Sequence, residues 1–145
     1  MRMNALGLAL LRKYETCSLT AYWDIDGYSI GWGHHSPDIT KDTVWTQAQA
    51  DAALVADIVA TEVGMTRLIL VNLTDNQWSA IVDFTYNEGQ GHLHGSTLLT
   101  FLNANHPLQA AAELPKWRYA GGRPNTKLLE RRLDEQNLFM LPDAA

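Results

Sequence analysis

Hydrophobic positions divide this chain into two textures. Leu6, Leu10, Leu11 and Tyr14 recur at helical spacing, which predicts a short amphipathic helix ending near Glu15. Cys17 and Ser18 break that pattern. From Leu19 to His35 the sequence turns aromatic and glycine-punctuated. Tyr22, Trp23, Tyr28, Ile30 and Trp32 favour strands, and Asp24-Ile25-Asp26-Gly27 supplies turn chemistry. With Gly31 and Gly33 interrupting the second strand, this region reads as an antiparallel sheet of two or three short strands. Ser36 to Trp45, with Pro37, reads as a loop.

Helical spacing returns after Trp45. Thr46 and Gln49 have capping-box spacing, and a helix is expected through about Glu62 with Ala50, Leu54 and Ile58 buried and Gly64 as its punctuation. Thr74 and Gln77 repeat the signal. They open a helix whose apolar face carries Trp78, Ile81, Val82, Thr85 and Tyr86, with Gly89 and Gly91 as stops. Ser96 starts another helix with Leu98, Leu99 and Leu102 inward. Pro107 fits the first turn of a helix from Leu108 to Trp117. Residues 120–124 read as a loop, and a last helix should run from about Thr126 to Leu138. The fold class is α+β and mostly helical. No internal repeat or low-complexity tract interrupts it.

Composition narrows this further. At 145 residues and 46% hydrophobic content, a single domain with a substantial core is expected. The formal net charge of −5 argues against nucleic acid as the main partner, because phosphate binding needs clustered Lys and Arg. The basic segment from Lys116 to Arg132 is interrupted by Glu130 and followed by Asp134 and Glu135, as on a solvated helix face. The one cysteine, Cys17, rules out an internal disulfide and is expected to fill space after the first helix. Ala5 to Leu11 is too short for a secure signal-peptide core, and no run reaches the ~20 apolar residues of a membrane span. The expectation is a soluble protein without stable membrane association. His34, His35, His92 and His94 offer no recognisable metal-ligand spacing, so neither metal nor cofactor is expected.

The chemistry concentrates between Lys13 and His35. Glu15 closes a helix, and nine positions later Asp24 sits in the hairpin. Two carboxylates held on different elements can protonate a leaving group and activate a water on opposite sides of one sugar bond. Burial of Glu15 against aromatic side chains would raise its pKa into the range of a general acid. Asp24, in a polar turn, is expected to be the carboxylate partner. The bland alternative is a helix-terminal surface Glu and an ordinary turn Asp.

Five segments tip the balance: LLRKYETCSLTAYWD, SIGWGHH, TQAQADAALVADI, LTDNQWSAIVDFTYNEGQG and the KWRYAGG … LLERRLDEQNLF ending. In that order and spacing they resemble the phage-type lysozymes, the muramidases of glycoside hydrolase family 24. The resemblance implies a two-lobed, lysozyme-like fold. Its small sheet-bearing lobe would span about residues 16–45, and the glycan would lie between the lobes. It implies Glu15 as general acid, Asp24 as second carboxylate and Ser29 at the position of the family's catalytic threonine. The chain departs there in two ways: Ser replaces Thr, and four residues rather than five separate it from Asp24. A one-residue slip in a strand reverses the face of a side chain, so this spacing bears directly on the Ser29 hydroxyl. Trp32, His34 and Asn87 are candidates for substrate contact. For His34 a structural hydrogen bond at the lobe junction weighs more. Arg131 or Arg132 is expected to turn inward and pair with Glu15, the other remaining solvated. Glu88 and Gln90 read as surface.

The activity implied is hydrolysis, with inversion, of the β-1,4 bond between N-acetylmuramic acid and N-acetylglucosamine in peptidoglycan glycan strands. A monomeric endolysin would wait in the host cytoplasm until a holin opens the membrane, then act in the periplasm on the cell wall. Two alternatives stay open. A lytic transglycosylase would form 1,6-anhydro ends, and a glycan-binding phage protein would not turn over.

Overall fold

A computed structural model describes residues 1–145. The first helix, α1 (Ala5–Glu15), starts where Asn4 accepts a hydrogen bond from the Gly7 amide at 3.0 Å, and it buries Leu10 and Leu11. Strands β1 (Ser18–Asp24), β2 (Gly27–Gly31) and β3 (His34–His35) follow as an antiparallel sheet in sequence order. Asp24 pairs with Gly27, so Ile25 and Asp26 form a two-residue turn. The register shifts between Ser18 and Tyr22, a bulge that bends β1. The loop after β3 folds back along β1. There Ala21 donates to the Thr43 carbonyl at 3.1 Å, and Trp45 to the Leu19 carbonyl at 2.9 Å.

Helix α2 (Gln47–Leu68) leads out of this small lobe and begins with the expected capping box of Thr46 and Gln49. Its 22 residues make it roughly 33 Å long. The helical lobe contains α3 (Asp75–Glu88), α4 (Gln90–His94), α5 (Thr97–Asn103), α6 (Pro107–Glu113) and α7 (Thr126–Met140). Between α6 and α7 lie a 3₁₀ turn (Leu114–Lys116) and a hairpin of β4 (Tyr119–Ala120) and β5 (Arg123–Pro124). The core belongs to this lobe: Leu10, Leu54, Ile81, Phe84, Leu98 and Phe139 represent each major helix that meets there. Helix α3 runs through its centre, buried continuously from Trp78 to Thr85. The sheet lobe is thinly packed by comparison, with Trp23 64% and Ile25 94% exposed.

Four local readings of the sequence are corrected. Gly64 does not stop α2. The helix continues to Leu68, and the glycine serves packing instead: the Gln90 side chain lies in space a Cβ at position 64 would occupy. Asn103 then receives the end of α2, donating to the Leu68 carbonyl and accepting from the Leu70 amide, both at 2.9 Å. Gly91 likewise lies inside α4. Pro115 ends α6 early, since it cannot donate to the helical ladder, so the segment expected to reach Trp117 closes as a 3₁₀ turn. Residues 119–124 pair as a hairpin with Gly121 and Gly122 at its turn, where a loop was expected. The two-residue strands leave little periodicity to read.

One backbone position is strained. Thr16, directly after Glu15, has φ 25°, a conformation that a β-branched residue rarely adopts. Thr16→Gly should therefore raise unfolding stability by about 1 kcal/mol, measured by chemical denaturation. An unchanged or lowered midpoint would show that the position is unstrained.

Candidate active site

Three helices meet at Glu15. Its side chain is 18% exposed, and Oε1 accepts a 2.8 Å hydrogen bond from Arg131 Nη1 of α7. The rest of that guanidinium is committed to Asp83 of α3. Nε donates to Oδ2 and Nη2 to Oδ1, both at 2.9 Å. Asp83 is fully buried and Arg131 4% exposed. Burial works against the Arg131 charge, but Asp83 and then Glu15 outweigh it and hold the guanidinium above its ordinary value. For Glu15 the balance runs the other way. Burial pushes its carboxyl up, Arg131 opposes, and the charges of Asp83 and Asp24 add to the rise.

The sheet lobe closes over Glu15 from the other side. Gly33 has φ 84°, and a Cβ there would come within 2.6 Å of Glu15 Oε2. Only glycine allows both the turn and the close approach. Asp24 ends β1. Its Oδ1 accepts from the Ile25 amide at 2.9 Å, and its Oδ2 lies 3.3 Å from Ser29 Oγ. The shortened turn thus keeps the Ser29 hydroxyl on the side of Asp24. Ser29 is fully buried, and its oxygen also lies 3.1 Å from His35 Nδ1. Tyr22 is neighbour to both carboxylates: burial first, then the charges of Asp24 and Glu15, pushes its phenol up.

Two recesses flank Glu15. One, of about 410 Å³, is bordered by Tyr14, Ile25, Asn87, Ala120, Asn125 and Arg131. The other, of about 240 Å³, is bordered by Gly33, His35, Asp57, Ala60, Thr61 and Tyr86. Glu15 itself lines neither, but Arg131 in the first and Gly33 in the second both approach its carboxyl.

The remaining sequence candidates separate. Asn87 lies in the larger recess, its Oδ1 accepting from Arg132 Nη2 at 2.9 Å, which leaves its two N–H donors for the open side. Trp32 lines neither recess. Its Nε1 donates to Asp51 of α2 at 2.8 Å, its carbonyl accepts from Tyr86 at 2.7 Å, and the Arg12 guanidinium lies over its ring. His34 Nδ1 is 2.8 Å from Asp57 Oδ2, a second tie between sheet and α2. Trp32, His34 and Tyr86 thus sit at the lobe junction.

Neither arginine of α7 is solvated, contrary to expectation. Arg132 is also fully buried. It donates to Glu88 at 3.0 Å and to Glu135 at 2.6 Å as well as to Asn87. Glu88 is therefore a partner in this network and not plain surface. Asp83 escaped the sequence reading altogether. An acid between Ile81-Val82 and Phe84 on an apolar helix was the available signal, since a buried charge demands a partner. No three His, Cys, Asp or Glu side chains converge as a metal site would require.

Residues 12–135 match the phage lysozyme family. An endolysin of Bacillus phage PZA is 37% identical over 142 residues, covering 96% of this chain and 55% of the relative, so the chain spans about half the length of that protein. An endolysin of Acyrthosiphon pisum secondary endosymbiont phage 1 is 37% identical over 144 residues, covering 96% of this chain and 98% of the relative. Among solved structures, the muramidase domain of SpmX from Asticaccaulis excentricus superposes with a TM-score of 0.89 at 27% identity, over 97% of this chain and 99% of that one. The fold is thus lysozyme-like, and with the match running through Glu15, Asp24, Asp83 and Arg131 alike, the chain belongs to the phage lysozyme family.

Proposed function

We propose that this chain is a peptidoglycan-degrading endolysin that hydrolyses the β-1,4 bond between N-acetylmuramic acid and N-acetylglucosamine with inversion. The observation that carries the reading is the Glu15 carboxyl, buried between Arg131 and Gly33, which each border a recess, and pushed up in pKa although it touches an arginine. Burial favours the protonated form of this group, which is the form that can deliver a proton to a glycosidic oxygen. In this reading Glu15 gives its proton to the leaving oxygen as the C–O bond breaks. Water bonds to the anomeric carbon from the opposite face, and its proton passes to Asp24. Ser29 holds that water, and Asn87 donates to an acetamido carbonyl of the glycan. Trp32 and His34 act as ties between the lobes rather than as sugar contacts. No metal or cofactor enters the reaction.

The endolysins among its relatives support the biological setting. The chain would act on the wall of a phage host, reaching it as a monomer when a separate pore-forming protein opens the membrane. No helix is long and apolar enough to cross a membrane.

Clearing of a turbid wall suspension tests the site. Glu15→Gln should lose activity on the order of a thousandfold and Asp24→Asn about a hundredfold. Ser29→Ala should lose about tenfold. Mass spectrometry of the digest should show reducing muramic ends. Anhydro ends would reassign the chain to transglycosylation, and a wild type that binds strands without clearing them would remove the enzyme.

The raised Glu15 carboxyl also sets a stability trend. A folded-state pKa above the unfolded value stabilises the fold below the unfolded value, and that stability is lost as pH rises through the folded one. Glu15→Gln cannot lose it. The Tm of the variant should therefore exceed that of wild type at neutral pH, with the gap narrowing toward about pH 4. A gap that widens on acidification would mean that Arg131, not burial, sets the balance.

A further inference from the structure

Strand register sets Ser29 directly opposite His35. The two-residue turn brings Asp26 back over the same ring: His35 Nε2 lies 3.3 Å from Asp26 Oδ1. The ring rests on Gly27, where a Cβ would come within 3.0 Å of His35 Cε1. Asp26, His35, Ser29 and Asp24 thus form a row, with Ser29 Oγ 3.1 Å from His35 Nδ1 and 3.3 Å from Asp24 Oδ2. In the sequence His35 is the last residue of SIGWGHH and carries no role of its own.

The row poses a question of donors. A serine hydroxyl has one proton, and a neutral imidazole has one N–H. Asp26, as a carboxylate, can only accept, and that favours the tautomer with the proton on Nε2. Nδ1 is then an acceptor, and the Ser29 proton goes to it across the shorter of the two contacts. The lone pairs of the Ser29 oxygen are left facing the carboxylate of Asp24. Two acceptors 3.3 Å apart leave no room for a water between them, but a water beside the pair can donate one hydrogen to each. Such a water keeps a lone pair for attack.

We infer that His35 is a positioning residue acting through Ser29: its Nδ1 accepts the hydrogen bond of the Ser29 hydroxyl, so that Ser29 and Asp24 both accept from the attacking water. This rests on the muramidase reading and extends it to a residue outside the two carboxylates. Asp26 is largely exposed, so its pairing with His35 biases the tautomer and adds little stability. The essential contact is Nδ1 to Ser29.

The test is a double-mutant cycle on purified glycan strands, with kcat and KM read from new reducing ends. His35→Ala should lower kcat about tenfold, the size of one ordinary hydrogen bond, with KM and Tm unchanged. His35→Asn, whose amide oxygen can sit near the place of Nδ1, should recover most of that loss. In a Ser29→Ala background neither substitution should have a further effect. A wild-type kcat in His35→Ala, or a loss of equal size with and without Ser29, would overturn the inference. Glu15→Gln run alongside separates the two claims. If it stays active the muramidase reading itself fails, and if it alone is dead only the role of His35 falls.

Discussion

The guanidinium of Arg131 is shared unequally, and the site depends on that division. Asp83 takes two nitrogens in a bidentate pair and Glu15 receives one. The bidentate pair gives Asp83 the stronger hold on the guanidinium. What reaches Glu15, the charge of Arg131 first and its hydrogen bond second, does not outweigh the burial of its carboxyl. An arginine committed to Glu15 alone would fix the side chain equally well but would favour its ionised form. Asp83 thus acts on Glu15 both through Arg131 and by its own charge. Removing it would leave Arg131 buried with Glu15 as its principal partner, and breaking a buried pair costs on the order of 3–5 kcal/mol.

The fold is arranged around that division. The three partners come from α1, α3 and α7, the helices that meet at the core, so the ion chain is held by well-packed elements. The side that carries Asp24 is different. Asp24 and Ser29 sit on a small sheet with exposed aromatics and are tied to α2 by Trp32 with Asp51 and by His34 with Asp57. Glu15, on packed helices, thus faces Asp24, on a lightly packed sheet, across the lobe junction. Gly33 is where the two halves touch, and a side chain there would push them apart.

Much of this was legible in the sequence. The helix ending at Glu15, both capping boxes and the turn at Asp24 follow from local chemistry, which packing did not override. The misreadings have long-range causes. Gly64 looked like a stop because its packing partner, Gln90, lies on another helix. Arg131 and Arg132 are adjacent on α7, and only the placement of Asp83, Glu88 and Glu135 shows that both are buried. The face of the Ser29 hydroxyl turned on how tightly four residues could close a hairpin. His35 was hidden because its importance comes from strand register, which a list of residues does not reveal.

The most direct measurement of the central claim is the titration of the Glu15 carboxyl itself, followed by the chemical shift of its side-chain carbon in the folded protein. Burial dominating a shared arginine predicts a midpoint above that of an unperturbed glutamate. A midpoint at or below that value would contradict the account, because Arg131 would then be holding Glu15 as a carboxylate with no proton to give.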